Sequence, residues 1–246
     1  MELAINIKEL KLSTSTEEKI LLKDISFNLG ENCIYTILGK NGSGKSTLIK
    51  SLAGLLDPRF YKIEGSIIAD NIEITTATKA ELMRLRREKI KYVFQDAINS
   101  FDPLRKLGYY FKRFGLDKSE SEELLSYFLL PKLNEIGKMY PYELSGGMAQ
   151  RFGFVISLLM NPELLILDEP TSGIDTAIAN LFLLKIKEFI AKDKKSVLLV
   201  TQDIEYAKSA GGVIAHLNDG ILTSFQPIEE YFKSKEILFK HRWAEL

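Results

Sequence analysis

The stretch Cys33–Ser46, CIYTILGKNGSGKS, joins a short apolar run to a glycine-rich turn. The run Cys33–Leu38 is typical of a strand that is buried on both faces of a parallel sheet. The turn Gly39–Ser46 has the spacing G-x-x-x-x-G-K-S of a phosphate-binding loop, which lies between a strand and a helix. A helical pattern follows over Lys45–Leu56. The stretch therefore predicts an α/β fold whose parallel-sheet core binds a phosphate group.

The residue types of this loop explain how it would hold a nucleotide. Glycines allow several backbone N–H groups to converge on one phosphate, and the N-terminus of the following helix adds partial positive charge. Lys45 is expected to reach the β- and γ-phosphates of ATP, and Ser46 is expected to bind Mg²⁺. A tight glycine turn that binds nothing is the structural alternative, which the flanking strand and helix disfavour. The nucleotide-binding residues expected in this segment are Gly39, Lys40, Asn41, Gly42, Ser43, Gly44, Lys45, Ser46 and Thr47.

The pattern on either side of the loop indicates how the sheet is built. Two more apolar runs, Leu164–Leu167 and Val197–Val200, predict buried strands, and a helical pattern covers Ile178–Ala191. Because strands alternate with helices, the sheet is expected to be mainly parallel. The N-terminal part differs, since its short segments alternate apolar and polar residues and predict antiparallel strands at the edge of this sheet. These segments are Ile5–Leu12, Ile20–Leu29 and Ile63–Ile68.

Between residues 100 and 160 the sequence becomes helical. Apolar residues recur at helical spacing from Leu124 to Leu129, and Pro131 is expected to end that helix. A helical insertion into an α/β core is the simplest interpretation. The chain is predicted to be one domain over residues 1–246, with a core of residues 1–94 and 160–246 and a helical subdomain of residues 95–159.

Two carboxylates follow the second apolar run. The segment Leu164–Pro170, LLILDEP, is a predicted strand that ends in Asp168 and Glu169. Asp168 is placed to help hold Mg²⁺, and Glu169 is placed to act as a base toward the attacking water. Many strands end in an acidic residue, so this signal depends on the phosphate loop upstream.

The segment Leu144–Arg151, LSGGMAQR, predicts a second anion site. Ser145 is a natural N-cap, and Gly146 and Gly147 allow a ligand to approach the first turn of the helix. Two anion sites about a hundred residues apart do not obviously serve one phosphate group. The physical interpretation is that this site serves a nucleotide held by another chain.

In this order and spacing, the phosphate loop and the segments Leu144–Arg151 and Leu164–Asp175 resemble the nucleotide-binding subunits of ABC transporters. The resemblance covers essentially the whole chain. It implies a head-to-tail dimer with two ATP molecules, each between the phosphate loop of one subunit and residues 145–147 of the other. It also implies that Gln95 contacts Mg²⁺ or the attacking water, and that Asp175 contacts the dimer partner. Separate transmembrane permease subunits would carry the solute.

Finer details resemble the subunits of oligopeptide, dipeptide and nickel importers. They are the segments Tyr92–Pro103, Tyr140–Met148 and Leu82–Arg87, and the ending His241–Leu246, which is similar to the start of a C-terminal extension in that family. The resemblance implies transport of a peptide-like or nickel-type solute. It also implies a second ABC ATPase subunit, identical or different, and indirectly a substrate-binding protein.

Two positions depart from the family pattern. Such subunits usually stack the adenine base on an aromatic residue near the place of Leu12 to Thr14, but the first aromatic residue here is Phe27. A histidine is expected after the strand Ser196–Thr201, and Gln202 takes its place. Glutamine can donate a hydrogen bond to the γ-phosphate but cannot carry a positive charge.

The resulting prediction is an ATPase that works by positioning and by neutralising charge around an in-line attack of water. The expected catalytic residues are Glu169, Gln202 and Gln95, and the expected metal-binding residues are Ser46, Gln95 and Asp168. A regulatory subunit with weak hydrolysis is one alternative, which Gln202 and the missing aromatic residue favour. A soluble ABC ATPase of DNA repair or translation is another, but such proteins usually carry two domains or long coiled-coil insertions.

Composition excludes several other classes of protein. The 33 basic and 33 acidic residues cancel, which argues against binding to nucleic acid as the main task. A single cysteine, Cys33, excludes an internal disulfide, and two histidines leave too few ligands for a transition-metal centre. The longest uncharged run, Phe152–Pro162, is shorter than the ~20 residues of a membrane span, and no signal-peptide pattern begins the chain. The protein is therefore expected at the cytoplasmic face of the membrane, attached through a partner.

Two further features have competing interpretations. The basic segment Met83–Lys91 is expected to be a solvated helix face rather than a lipid or nucleic-acid contact. The aromatic residues Tyr109, Tyr110, Phe111 and Phe114 predict either an apolar cleft for a helix of a membrane subunit or the core of the helical part.

Overall fold

The computed structural model describes residues 1–14 and 17–233, which contain both strands and helices. The strands are β1 (Leu3–Ser13), β2 (Glu18–Leu29), β3 (Ile34–Leu38), β4 (Tyr61–Ala69), β5 (Ile72–Glu73), β6 (Ile90–Val93), β7 (Leu164–Asp168), β8 (Ser196–Thr201), β9 (Val213–Asn218), β10 (Ile221–Leu222) and β11 (Gln226–Pro227). The α-helices are α1 (Lys45–Leu52), α2 (Lys79–Glu88), α3 (Gly108–Phe114), α4 (Lys118–Tyr127), α5 (Leu133–Ile136), α6 (Gly146–Leu159), α7 (Thr176–Ile190) and α8 (Ile204–Ala210). The ending His241–Leu246 lies outside the described residues.

The three buried runs form the middle of the main sheet, which confirms the predicted parallel core. The strand order is β10-β9-β3-β8-β7-β6, with β11 paired to β9, and the neighbours from β9 to β6 are parallel. Because the strands are parallel, their carboxyl ends meet at one edge, where Leu38 is opposite Thr201 and Asp168 is opposite Val200. In open α/β sheets, ligands bind at this edge. The phosphate loop and the two carboxylates therefore come together.

The N-terminal segments are antiparallel strands, as predicted, but their expected place at the edge of the main sheet is wrong. They form a separate four-stranded sheet of order β2-β1-β4-β5. Every second residue of β1 is buried from Leu3 to Ile7, so this sheet has one apolar face. That face, α1 and one face of the main sheet share a single apolar cluster. A second layer thus covers α1, and full burial of each Leu or Ile stabilises it by about 1.5–3 kcal/mol.

Helices α3 to α6 fill most of the region that the sequence predicts to be helical. A chain of aromatic contacts joins them to the core: the rings of Phe128 and Phe154 lie 5.5 Å apart, and those of Phe154 and Phe182 stack at 4.3 Å. The helix before Pro131 ends earlier than expected, since Phe128 is its C-cap and Leu129 has a φ of 52°. The division into a core and a subdomain at residues 95–159 stays a prediction.

The basic segment Met83–Lys91 differs in part from the expected solvated helix. Its helix, α2, exposes much of its surface, but Lys91 lies in β6 and is buried. Lys91 Nζ donates to Arg87 O at 2.6 Å and also to Arg86 O, both at the C-terminal end of α2. Arg86 Nη1 donates to Gly54 O at 2.9 Å, just after α1, which ends at Leu52 rather than at Leu56. Two of the basic side chains therefore hold helix ends in place.

Candidate nucleotide-binding site

The phosphate loop begins where β3 ends. Gly39 N–H donates to Thr201 O at 3.3 Å, which fixes the loop to the end of β8. A Cβ atom at Gly39 would lie 2.5 Å from Leu217 O, so no side chain fits there. Gly44 is the N-cap of α1 with a φ of 102°, a conformation that L side chains rarely adopt. The loop geometry therefore requires glycine at both ends.

A cavity of about 520 Å³ opens above this loop. Its lining includes residues 41–47 of the loop, together with Gln95 from the segment after β6 and Glu169 from the end of β7. The other side consists of residues 19–21 of β2 and of Asp219 and Gly220. Among the described residues, the buried Ser43 hydroxyl has no hydrogen-bond partner, which suits a site for a phosphate oxygen.

Lys45 and Glu169 face each other at this cavity. Lys45 is buried, and its Nζ donates to Gly39 O at 2.8 Å and to Lys40 O at 3.0 Å. The same Nζ lies 3.3 Å from Glu169 Oε1, so the two residues form a buried ion pair. Glu169 has a φ of 47°, and its Oε2 accepts a hydrogen bond from Gln202 N at 3.1 Å. The structure therefore holds an ammonium group and a carboxylate side by side at the predicted γ-phosphate position.

The oxygen atoms of Ser46 and Asp168 form a group suited to Mg²⁺. Ser46 Oγ donates to Asp168 Oδ1 at 3.1 Å, although 122 positions separate the two residues in sequence. A hydroxyl and a carboxylate are the hard oxygen ligands that Mg²⁺ prefers. Gln95, the third expected ligand, lines the same cavity. The residues present therefore fit a Mg²⁺ ion bound together with a nucleotide.

Tyr92 belongs to this group, and the sequence reasoning missed its part in it. Its Oη donates to Asp168 Oδ2 at 2.6 Å. Burial and the neighbouring Asp168 carboxylate raise the pKa of Tyr92, so the phenol keeps the proton that it donates. The signal that could have found it is strand register, since Tyr92 is opposite Ile166, two residues before Asp168.

Residues 145–147 lie away from this cavity. Ser145 is the N-cap of α6, and its Oγ accepts from Met148 N at 3.3 Å, as the sequence predicts. Ser145 and Gly146 are exposed, and neither they nor Gly147 line the cavity above the phosphate loop. One chain therefore does not bring its two expected anion sites together.

Asp175 has a local role that the sequence reasoning did not include. Its side chain accepts from Ile178 N at 2.9 Å and caps the N-terminus of α7. Gly147 is close to the same turn, because a Cβ there would lie 3.4 Å from Gly173 O. The N-terminal end of α6 and the turn before α7 thus form one surface.

Gln202 contributes its backbone to the site. Its N–H contacts Glu169, whereas its side chain is exposed and does not line the cavity. The cavity lining given by the described residues contains no aromatic ring. Ile20, which is 48% exposed, contributes an apolar side chain to this lining.

The four aromatic residues of α3 divide between the two predicted roles. Phe111 is buried in the core, whereas Tyr110 and Phe114 line an apolar groove of about 180 Å³ together with Phe94 and Phe101. Tyr109 is exposed and lies outside this groove, with Arg105 above its ring at 5.0 Å. The groove lies between the segment after β6 and helices α3 and α6.

The comparison with known families agrees with this geometry. Residues 22–172 match the ABC transporter family over more than half of the chain, including the phosphate loop and the ends of β6 and β7. The chain belongs to the ABC transporter family. As an ABC-type ATPase it binds nucleotide. The cavity above the phosphate loop is lined by the loop residues together with Gln95 and Glu169.

Several relatives are oligopeptide transport ATP-binding proteins. The OppD protein of Haemophilus influenzae is 29% identical over 96% of this chain and 74% of the relative. OppD of Lactococcus lactis subsp. cremoris is 31% identical over 86% of this chain and 65% of the relative. A solved structure with a TM-score of 0.78 and 26% identity, covering 93% of this chain and 99% of its own, is the dimeric ATP-binding cassette MJ0796 in a post-hydrolysis state with ADP and Pi.

Among the helices in the described part of the chain, none is both long and apolar enough to cross a membrane.

Proposed function

We propose that this ABC-type ATPase binds Mg²⁺ and ATP and drives the uptake of a peptide-like solute through separate membrane permease subunits. The observation that carries the proposal is the cavity lined by Lys45, Ser46 and Glu169, with Asp168 bonded to Ser46 beside it. The names of the relatives, which are oligopeptide transport proteins, support a peptide-like solute. A nickel-type solute is the alternative from the same importer group.

Lys45 is the residue that links nucleotide binding to catalysis. Its Nζ is shared among two loop carbonyls and Glu169 Oε1, so phosphate oxygens at this position compete with Glu169 for the ammonium group. When Lys45 turns to the phosphates, Glu169 becomes free to accept a proton from the attacking water. Gln95 lines the same cavity and is positioned to orient that water. Ser46 and Asp168 would hold Mg²⁺, which would neutralise negative charge on the phosphates.

Ile20 supplies an apolar contact for the adenine base in place of an aromatic ring. Its exposed side chain belongs to the same cavity as the phosphate loop. Contact with an aliphatic side chain removes apolar area from water, but it lacks the ring stacking that an aromatic residue adds. The base is therefore held more weakly than on an aromatic platform, and the phosphates supply most of the affinity.

Residues 145–147 of this chain contact a nucleotide that is bound to the phosphate loop of a second subunit. The first N–H groups of a helix have no acceptor within the helix itself and carry partial positive charge, so the α6 N-terminus suits the γ-phosphate of a nucleotide held by the other subunit. Ser145 and Gly146 are exposed, as this role requires. Asp175 lies on the same surface and would contact the partner. The assembly is a homodimer or heterodimer of such subunits.

The apolar groove beside α3 is the surface for the permease. Phe114 is 39% exposed, and the Phe101 and Tyr110 rings meet at 5.0 Å in the groove lining. An amphipathic helix of a membrane subunit would bury these rings. The chain then lies at the cytoplasmic face of the membrane through its partner, and a substrate-binding protein acts with the complex indirectly.

The test is to express the chain together with permease subunits and to measure uptake in membrane vesicles. ATP-dependent uptake of a labelled peptide is expected with the wild-type chain, and it should stop in Lys45→Ala. Uptake of Ni²⁺ instead of peptide would assign the nickel-type alternative. A chain that copurifies with no membrane protein and retains its ATPase activity alone would contradict the transport function.

A single-turnover assay on the same complex separates the proposal from a regulatory role. We expect each site that contains this chain's phosphate loop to hydrolyse one ATP. Nucleotide binding without hydrolysis at that site would indicate a regulatory subunit.

A further inference from the structure

The phenol of Tyr92 lies against the carboxylate that ends β7. Tyr92 stands in β6, which pairs in parallel with β7 so that Tyr92 is opposite Ile166. Alternate residues of a strand point to the same face, so Ile166 and Asp168 share a face of the sheet. The tyrosine side chain is long enough to span this offset, and its Oη reaches Asp168 Oδ2 at 2.6 Å. A neighbouring strand thus holds the end of β7 from the side.

Each carboxylate oxygen of Asp168 has its own donor. Ser46 Oγ donates to Oδ1 at 3.1 Å, and Tyr92 Oη donates to Oδ2 at 2.6 Å. The shorter distance is typical of a hydroxyl group that donates to an ionised carboxylate. Asp168 is buried, so these donors rather than bulk water determine how its carboxylate is turned.

The tyrosine ring is fixed by packing as well. It contacts the Phe94 ring with 4.4 Å between centroids, and it packs against the apolar cluster that includes α1 and β1. A ring held on two sides places its phenol oxygen at a defined point. Tyr92 can therefore orient Asp168 without touching the nucleotide.

We propose that Tyr92 is a positioning residue for the bound cation: its phenol holds Asp168 Oδ2, which keeps Oδ1 beside the Ser46 hydroxyl. The inference rests on the proposed function, because it concerns Mg²⁺ bound with ATP. Partners of metal-binding side chains typically change metal affinity by about 10- to 100-fold when they are removed. Tyr92 is then a residue of the site that a search for metal ligands alone would omit.

The test measures cation binding apart from hydrolysis. The affinity of the isolated chain for the non-hydrolysable analogue AMP-PNP is measured with Mn²⁺ and with EDTA, and the ratio gives the gain due to the metal. Tyr92→Phe removes one oxygen atom and should reduce this gain by about 10-fold or more. The matched control is Tyr35→Phe, which removes a partly buried phenol that accepts from Gly30 N at 2.8 Å at the other end of β3. The control should keep the wild-type gain.

A double-mutant cycle tests whether Tyr92 acts through Asp168. In an Asp168→Asn background, Tyr92→Phe should cause no further loss of the metal-dependent gain, because the carboxylate that it orients is gone. Incorporation of 3-fluorotyrosine at position 92 keeps both the ring and the donor, so the gain should stay within about threefold of wild type. This variant also covers the case in which Tyr92→Phe fails to fold.

Several results would overturn the proposal. An unchanged gain in Tyr92→Phe would show that the phenol does not affect the cation. An equal further loss in the Asp168→Asn background, or a full loss with 3-fluorotyrosine, would show that Tyr92 does not act by donating to Asp168. A wild-type chain whose affinity does not depend on Mn²⁺ overturns both this proposal and the function on which it rests. If the wild-type chain shows the gain and only the Tyr92 results fail, the proposal about Tyr92 is wrong but the proposed function stands.

Discussion

The buried pair of Lys45 and Glu169 leads to a prediction about the catalytic base. Glu169→Gln removes the negative charge next to Lys45 Nζ but keeps the shape of the side chain. ATP binding should persist, because the phosphate cradle is intact and Lys45 no longer pairs with a carboxylate. Hydrolysis should fall by about 10²–10⁴, the usual contribution of a general base. Filter binding of labelled ATP and phosphate release measure the two effects.

The same variant should accumulate an ATP-bound dimer. Size-exclusion chromatography with Mg-ATP, in the presence of an active partner, is the measurement. Glu163→Gln is the matched control, since Glu163 lies at the other end of β7 and contacts Lys89 outside the cavity. Only monomer in the Glu169→Gln sample would argue against a base role for Glu169.

The sequence predicts those site residues that lie close together along the chain. The phosphate loop lies within eight consecutive positions, and Asp168 and Glu169 end a recognisable apolar run, so their place at one sheet edge follows from parallel pairing. The ion pair of Lys45 with Glu169 and the Tyr92 bond to Asp168 depend on side-chain reach between strands. No pattern along the chain encodes that reach, and it becomes visible only once register is known.

The N-terminal end of α6 carries a prediction about the element that serves the partner. Gly147→Val introduces a branched side chain whose Cβ would lie 3.4 Å from Gly173 O and 3.6 Å from Ile174 Cγ2. The surface offered to the second nucleotide would shift, and a misplacement of about 1 Å can cost about 10²-fold in rate. ATPase activity of the complex should fall, whereas the nucleotide affinity of the isolated subunit should not.

The control for this prediction lies in the same helix. Gly153→Ala adds a methyl group that meets the Phe101 ring at an ordinary 3.8 Å. Because Phe101 and Gly153 line the groove proposed for the permease, this control is measured on the isolated subunit, where it tests the general effect of changing a glycine of α6. If the isolated subunit with Gly147→Val loses as much affinity as Lys45→Ala, the site on residues 145–147 serves its own chain.

The end of α2 leads to a prediction about stability and pH. Burial, with a smaller contribution from the Arg87 charge, lowers the pKa of Lys91 from 10.5 to about 8. Between these two values the unfolded chain binds more protons than the folded chain. The free energy of unfolding should therefore rise as pH increases from about 8 to 10.5, by about 1–2 kcal/mol after solvent screening.

Urea unfolding at pH 8 and pH 10 tests this dependence. Lys91→Met should lose the part of the increase that belongs to Lys91, although it also loses the hydrogen bonds to the end of α2. Lys79→Met, which changes an exposed lysine at the start of the same helix, should keep the wild-type increase. Parallel curves for wild type and Lys91→Met would contradict the assignment.

Element types followed from the sequence more closely than element placement did. Apolar runs predicted β3, β7 and β8, and alternation predicted β1, β2 and β4. The separate sheet formed by β1, β2, β4 and β5 was not predicted, because alternation shows that a strand has one apolar face but not what covers it. Here α1 covers the apolar face of this sheet, and the phosphate loop places α1 between this sheet and the main sheet.

The assembled molecule raises the question of whether its two ATP sites are equal. Under the proposed function, Glu169 would support hydrolysis on this chain's phosphate loop, and residues 145–147 would complete the opposite site. Gln202 stands where the family pattern has histidine, and its backbone N–H already holds Glu169 Oε2 at 3.1 Å. Its side chain is exposed, so it has room to turn toward a γ-phosphate.

The last prediction is that Gln202 makes the site on this chain slow and the dimer asymmetric. A neutral amide on a flexible stem aligns the water and the γ-phosphate less well than an imidazole, which can carry charge. Loss of one such stabilising contact typically costs about 10²–10³ in rate. Gln202→His, assayed in the complex with the catalytic glutamate of the partner disabled, should therefore raise the remaining hydrolysis clearly. Because the Gln202 N–H bond to Glu169 is a backbone contact, the substitution leaves the base in place. An unchanged or lower rate would mean that glutamine already performs this step, and the two sites would then differ for another reason or not at all.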